Sequence, residues 1–158
     1  QREALRGYRV APMMTRAEVE QLKEARLVLE PRLAYCAALR TTPEFLAALR
    51  ESLKEFEQSA DAADMETEGF DMYWRSDNDF HTLIAEQSGN QFLALAYAAL
   101  SGQIQRFRLF SKFGRTGARQ AAPEHGAIFD AIVAGDADSA AEAMRLHVLG
   151  ATERLLGS

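Results

Sequence analysis

The apolar residues of this 158-residue chain recur every three or four positions along nearly its whole length. That spacing is the period of an α-helix, and it restricts the chain to helical folds. Phe45, Leu49, Leu53 and Phe56, for example, share one helix face. The only strand-like segment is Tyr8-Arg9-Val10. We therefore predict an all-α protein, an antiparallel bundle of about six to seven helices around one core.

Local start and stop signals divide the chain into six main helices. Thr15 and Glu18 form a capping box that opens the first, which runs to about Arg40. Pro31 is expected to bend or locally break it. The second helix is predicted to begin at Pro43, and the third follows a polar loop at 61–68. The fourth begins at Asn90, after Ser88-Gly89. The fifth runs from about 118 to 134 with a bend at Pro123, and the sixth from Asp136 to about Leu156.

Composition excludes several classes of protein. The net charge of −5 argues against a self-sufficient nucleic-acid-binding surface, which needs clustered Lys and Arg. No apolar run approaches the length of a membrane span, and no signal peptide is recognisable. Cys36 is the single cysteine, so an internal disulfide is impossible. We expect a cytoplasmic protein without a membrane partner.

The chain has three histidines, and helical phase allows all of them to point inward. Asp77 and His81 lie one turn apart on one face, while Asp79 is off that phase and should be solvated. His125 and His147 share the apolar faces of the last two helices. A buried Asp needs a cation, and a divalent metal such as Zn, Ni, Mn or Fe(II) suits these ligands. The simpler alternative is that each histidine is a hydrogen-bonded core residue.

Three arginines are candidates for binding an anionic ligand. Arg26 lies in the apolar stripe of the first helix, where its guanidinium could hold a carboxylate in a two-pronged bond. Alternatively, its stem covers apolar surface or it pairs with Glu30, one turn on. Arg106 and Arg108, near the end of the fourth helix, are weaker candidates for the same role.

The sequence resembles a known family through three stretches. They are EARLVLEPRLAYCAALR, DNDFHTLIAEQSGN and EHGAIFDAIVAGDADSAAEAMRLHV. Together they resemble the C-terminal ligand-sensing (FCD) domain of GntR-type transcription regulators of the FadR subfamily. The resemblance implies a helical bundle around a central metal and ligand cavity. In the metal-binding branch, the ligands correspond to Asp77, His81, His125 and His147, and the first-helix arginine corresponds to Arg26.

The first residues add a domain boundary to this resemblance. Residues 7–12 resemble the end of a winged-helix hairpin. We therefore expect residues 1–14 to be a linker and the end of a missing DNA-binding domain, and 15–158 to be the effector-binding domain. The resemblance implies a homodimer that senses a small organic acid through the metal. Operator DNA would be bound by the missing N-terminal domain of a bacterial regulator, not by this chain.

Two other functions stay open at this point. A helical mononuclear metalloenzyme acting on a small carboxylic acid would use similar ligands. The only Glu beside a histidine is Glu124, however, and its phase next to His125 points it away from the site. We therefore expect no catalysis. A plain helical interaction module with core histidines is the third reading.

Overall fold

A computed structural model describes residues 15–62, 68–108 and 115–156, except for the side chains at 62, 68–70, 107, 108, 115, 116 and 155. The described part contains six helices: α1 (Arg16–Ala38), α2 (Pro43–Ala62), α3 (Glu68–Gln87), α4 (Gln91–Arg108), α5 (Arg115–Val133) and α6 (Ala137–Leu155). It contains no strand. The all-α prediction is confirmed. The strand-like Tyr8–Val10 segment lies outside the described residues.

Local chemistry sets several helix ends where the sequence predicts them. The Thr15 side chain accepts a 3.1 Å hydrogen bond from the Glu18 backbone N–H, and the Glu18 carboxylate accepts one from Thr15. Asp136 caps α6 by accepting a 3.0 Å bond from the Ser139 backbone N–H. Gly135, with φ of 68°, occupies the left-handed region that ends α5. Capping and glycine stops therefore fix the turn between α5 and α6.

Two local details of the predicted helices differ in the structure. Helix α1 is not broken at Pro31 and continues to Ala38, and α5 begins at Arg115, before the predicted start near 118, and continues through Gly117. Tertiary packing outweighs local propensity here, because α1 and α6 pack extensively against each other and α5 packs on α6 and α2. A helix held along its length by neighbours tolerates the loss of one backbone hydrogen bond.

The helices enclose one main apolar core and a smaller cluster. The main core includes Leu33, Leu49, Phe80, Ile84, Ile128, Ile132, Met144 and Val148, all fully buried. The smaller cluster includes Phe56, Tyr73, Ala118 and Ala121. Phe56 and Phe80 both stack on His125, so the histidines lie where the two clusters meet. None of the described helices is long and apolar enough to cross a membrane.

Candidate metal centre

Four predicted ligands come together inside the bundle. Helix α3 carries Asp77 and His81, α5 carries His125 and α6 carries His147. Each residue offers a ligand atom, and all these atoms lie within 4.8 Å of one another. All four side chains are buried. Asp79, two residues from His81, is exposed as its phase predicts.

The distances between the facing atoms suit a single metal ion. Asp77 Oδ1 lies 3.0 Å from His125 Nε2 and 3.5 Å from His81 Nε2. The Nε2 atoms of His125 and His147 are 3.2 Å apart. Metal–ligand bonds of about 2.0–2.2 Å place ligand atoms roughly 3 to 4.4 Å from one another. The residues therefore fit a divalent transition metal.

His81 is held on its far side by a buried carboxylate. Its Nδ1 lies 2.7 Å from Glu30 Oε1, and the other oxygen of Glu30 accepts a 2.5 Å hydrogen bond from Arg26 Nε. Burial raises the pKa of Glu30, but the charges of Arg26 and His81 outweigh it and hold that pKa well below its usual range. Burial lowers the pKa of His81, and the carboxylates of Glu30 and Asp77 more than reverse this, raising it above its ordinary value.

His147 is held in the same way by Glu124. Its Nδ1 lies 2.9 Å from Glu124 Oε1, and Arg154 donates to both Glu124 oxygens, at 2.6 and 3.0 Å. Burial raises the pKa of Glu124, but the hydrogen bonds with His147 and Arg154 outweigh burial and lower this pKa to about 2. The sequence-based expectation that Glu124 points away from the site needs correction. It is off-phase for its neighbour His125, yet it contacts His147 on the adjacent helix.

His125 is held by aromatic packing instead. Its ring stacks on Phe56, with centroids 3.9 Å apart, and on Phe80, at 4.4 Å. Its Nδ1 has no hydrogen-bond partner among the described residues. Burial lowers the pKa of His125 to about 3, despite the opposing hydrogen bond to Asp77. The imidazole is therefore neutral near pH 7, the form that binds a metal.

The three candidate arginines have different surroundings. Arg26 is buried and pairs with Glu30, the ion pair that the sequence offered as its alternative role. Arg106 is half-buried and donates to Gln103. The side chain of Arg108 lies outside the described residues. The bonds described for Arg26 and Arg106 are thus with Glu30 and Gln103, respectively.

Sequence reasoning missed three residues that contact the site or support it: Glu30, Glu124 and Arg154. The sequence offers Glu30 only as a partner for Arg26. Its position four residues after Arg26 on the same helix face was the one signal that it could be buried beside that arginine. Glu124 and Arg154 are thirty residues apart, and no periodicity within one helix connects them. A contact between two helices has no signal in a single sequence.

Comparisons with known proteins agree with this fold. The family model of the FCD domain matches residues 9–150 of the sequence. The HTH-type transcriptional regulator LutR of Bacillus subtilis is 29% identical over 154 residues, covering 93% of this chain and 66% of LutR. The chain thus spans slightly less than two thirds of this curated relative.

Three solved structures share the fold at lower identity. Escherichia coli McbR/YncC has a TM-score of 0.82 and 18% identity, covering 93% of this chain and 72% of its own. Streptococcus agalactiae GntR has a TM-score of 0.72 and 24% identity, with coverage of 89% and 61%. The metal-free FCD domain of TM0439 has a TM-score of 0.70 and 20% identity, with coverage of 92% and 96%.

Proposed function

Because this chain belongs to the FCD domain family, found in GntR-type transcription regulators, we propose that it senses a small organic acid through a bound divalent metal. Asp77, His81, His125 and His147 would hold the metal. The signal would control DNA binding by a winged-helix domain that precedes residues 1–14 in the whole protein. The relatives are regulators rather than enzymes, which favours sensing over the metalloenzyme alternative.

One observation carries the proposal: three imidazoles and one carboxylate, from three helices, converge in a buried centre. A buried Asp and three clustered rings would be costly in an apolar core without a cation to bind them. Zn, Ni, Mn or Fe(II) accept this ligand set. When bound, the metal would supply Lewis-acid positions for an oxygen ligand, since four protein ligands do not fill five- or six-fold coordination.

The effector would be a small carboxylic acid, such as a hydroxy or sugar acid. Its carboxylate suits the remaining metal positions. Burial lowers the pKa of Arg26, but the charge and hydrogen bond of Glu30 raise it above its ordinary value, so the guanidinium stays charged. Arg26 would provide a second anchor for the acid through the part of its guanidinium not bonded to Glu30. Arg106, and Arg108 at the end of α4, remain weaker candidates. A groove of about 550 Å³ between α3 and α4 is lined by Tyr97, whose ring centroid lies 6.4 Å from that of His81. This groove would admit the acid.

Control of DNA would require two copies of the chain. Helix α4 exposes Phe92, at 73%, with the exposed small residues Ala96 and Ala99 on the same face. We assign this apolar face to a second copy, because a regulator of paired operator half-sites acts as a dimer. Effector binding would draw α3, α5 and α6 together and shift the packing of the two copies. Such a protein would act in the cytoplasm.

Substitution of the proposed ligands tests the metal. His81→Ala and His147→Ala should abolish metal content, measured by mass spectrometry of the purified chain. Asp79→Ala is the matched control, because it removes an exposed carboxylate from the same helix. Metal content that is unchanged in both histidine variants would refute the site.

A thermal-shift screen with organic acids tests the effector. An acid that binds should raise the melting temperature of the metal-loaded chain, and a chelator should abolish the shift. In the full-length regulator, the same acid should alter operator binding, and His81→Ala should remove that response. Turnover of the acid by this chain would instead support an enzyme.

A further inference from the structure

Two of the three histidines share an arrangement that the ligand set alone does not require. His81 and His147 each turn Nδ1 toward a glutamate, Glu30 and Glu124 respectively, at 2.7 and 2.9 Å. Each of these glutamates is bonded in turn by an arginine. The two arrangements come from different helices, since one uses α1 and α3 and the other uses α5 and α6. The same chain of contacts, from arginine to glutamate to histidine, therefore occurs twice on different segments of the sequence.

The orientation of the two rings shows which nitrogen faces the candidate metal centre. The contact of His147 Nδ1 with Glu124 is a hydrogen bond, whereas the contact of His81 Nδ1 with Glu30 is a close ion pair without hydrogen-bond geometry. A ring that turns its Nδ1–H toward a carboxylate has its lone pair on Nε2. The Nε2 of His81 lies 3.5 Å from Asp77 Oδ1, and the Nε2 of His147 lies 3.2 Å from that of His125. Each carboxylate thus lies behind its ring, on the side opposite the shared centre.

The arginines fix the carboxylates themselves. Arg26 bonds Glu30 Oε2, so that Oε1 faces His81. Arg154 binds both oxygens of Glu124, and a two-pronged pair restricts rotation as well as position. His81 and His147 therefore each contact a carboxylate that an arginine also binds.

We infer that Glu30 and Glu124 are positioning residues for the metal, each fixing the tautomer and orientation of one histidine from behind. The inference rests on the proposed metal site and goes beyond it by assigning roles to residues that are not ligands. Partners of this kind orient ligand rings and increase their basicity, and their loss commonly weakens metal binding by about 10- to 100-fold. Arg26 and Arg154 act one step further back, on the glutamates.

His125 provides an internal contrast. Its Nδ1 has no hydrogen-bond partner among the described residues, and Phe56 and Phe80 hold its ring. On its Nδ1 side, packing orients this ring, so no carboxylate behind it increases its basicity. Removing Glu30 or Glu124 should therefore leave the position of His125 nearly unchanged.

Zinc competition titrations of the chain against a chromophoric chelator test the inference. Glu124→Ala should weaken Zn²⁺ binding by about 10- to 100-fold. Glu124→Gln should weaken it less, because the amide oxygen still accepts from Nδ1–H. Glu142→Ala is the matched control, since Glu142 is an exposed acid on α6 paired only with nearby Arg145 in the described structure. Glu30→Gln provides the same test at His81 and avoids emptying a buried position.

The visible spectrum of the Co²⁺-loaded chain separates positioning from mere stabilisation. A displaced histidine alters ligand geometry and should change the Co²⁺ bands in Glu124→Ala, with partial recovery in Glu124→Gln. A purely structural role would lower the melting temperature of the metal-free chain and leave the bands as they are. Wild-type zinc affinity and an unchanged Co²⁺ spectrum in both Glu124→Ala and Glu30→Gln would overturn the inference. Retained metal in His81→Ala and His147→Ala would instead refute the metal site itself.

Discussion

The two arginine–glutamate pairs behind His81 and His147 of the candidate metal centre differ in their contact with water. The buried pair, Arg26 and Glu30, has side chains only 4% and 2% exposed and lies within one turn of α1. The rim pair, Arg154 and Glu124, is 14% and 27% exposed and joins α6 to α5. The chemistry is the same in both, but the surrounding dielectric is not.

This difference in exposure predicts that substitutions at the two pairs will differ in their effects on folding stability and on metal binding. Charges in the buried pair have lost nearly all their water, so each depends on the other and on His81. Charges in the rim pair keep part of their hydration, which compensates when a partner is removed. We expect changes at the buried pair to destabilise the fold strongly and changes at the rim pair to affect metal binding with the fold nearly as stable.

The largest expected effect comes from breaking the buried pair. Glu30→Ala leaves the Arg26 guanidinium buried without its carboxylate, which should lower the free energy of unfolding of the metal-free chain by about 3–5 kcal/mol. Urea denaturation followed by circular dichroism measures the loss. A loss no larger than that of Glu124→Ala would remove the distinction between the two pairs.

Zinc should stabilise the wild-type chain by the next largest amount. At free Zn²⁺ of 100 times Kd, the unfolding free energy should rise by about 2.7 kcal/mol, because the ion binds the folded state. Glu124→Ala at the same zinc concentration should gain only about 0.4–1.4 kcal/mol, if its affinity is about 100- to 10-fold weaker. Thermal melts with zinc or with chelator check both values, and equal gains would contradict the role given to Glu124.

The metal-free Glu124→Ala variant should be only mildly destabilised. A partly exposed ion pair contributes about 1 kcal/mol or less, because water solvates the arginine left behind. Urea denaturation of the metal-free chain gives the value, with Glu142→Ala as the surface control. A loss of several kcal/mol would show that the rim pair is as essential to folding as the buried one.

Arg154→Met should have the smallest effect. Glu124 would keep its contact with His147 and gain water in place of the guanidinium, so stability should change by a few tenths of a kcal/mol. Zinc affinity should fall only a few-fold, less than in Glu124→Ala. A larger fall in affinity than in Glu124→Ala would place the primary support for His147 on Arg154.

The sequence predicted the helices, and which polar side chains turn inward, for a physical reason. Helical phase is a local property, and it correctly separated buried Asp77 from exposed Asp79. The pairing of His81 with His125 and His147 required the resemblance to a family, because phase can turn a side chain inward but cannot say which helices meet. Gly117 was a less reliable guide to a helix start, since it lies within α5.

Glu124 illustrates what local reasoning could not reach. Its phase beside His125 was judged correctly, but its partner belongs to another helix. Arg26 illustrates the reverse, because both of its possible partners were predictable and only packing selected Glu30. A single sequence states which groups are available, and three-dimensional proximity decides which of them interact.

By itself, the sequence determined an all-helical chain with an inward acid and inward histidines, because periodicity and capping act over a few residues. Tertiary structure alone decided that these groups share one centre, and that His81 and His147 rest on carboxylates while His125 rests on aromatic rings. Apart from Asp77 and His81, which are one turn apart on α3, those contacts join residues more than twenty positions apart. They form only when packing of the apolar faces brings the helices together.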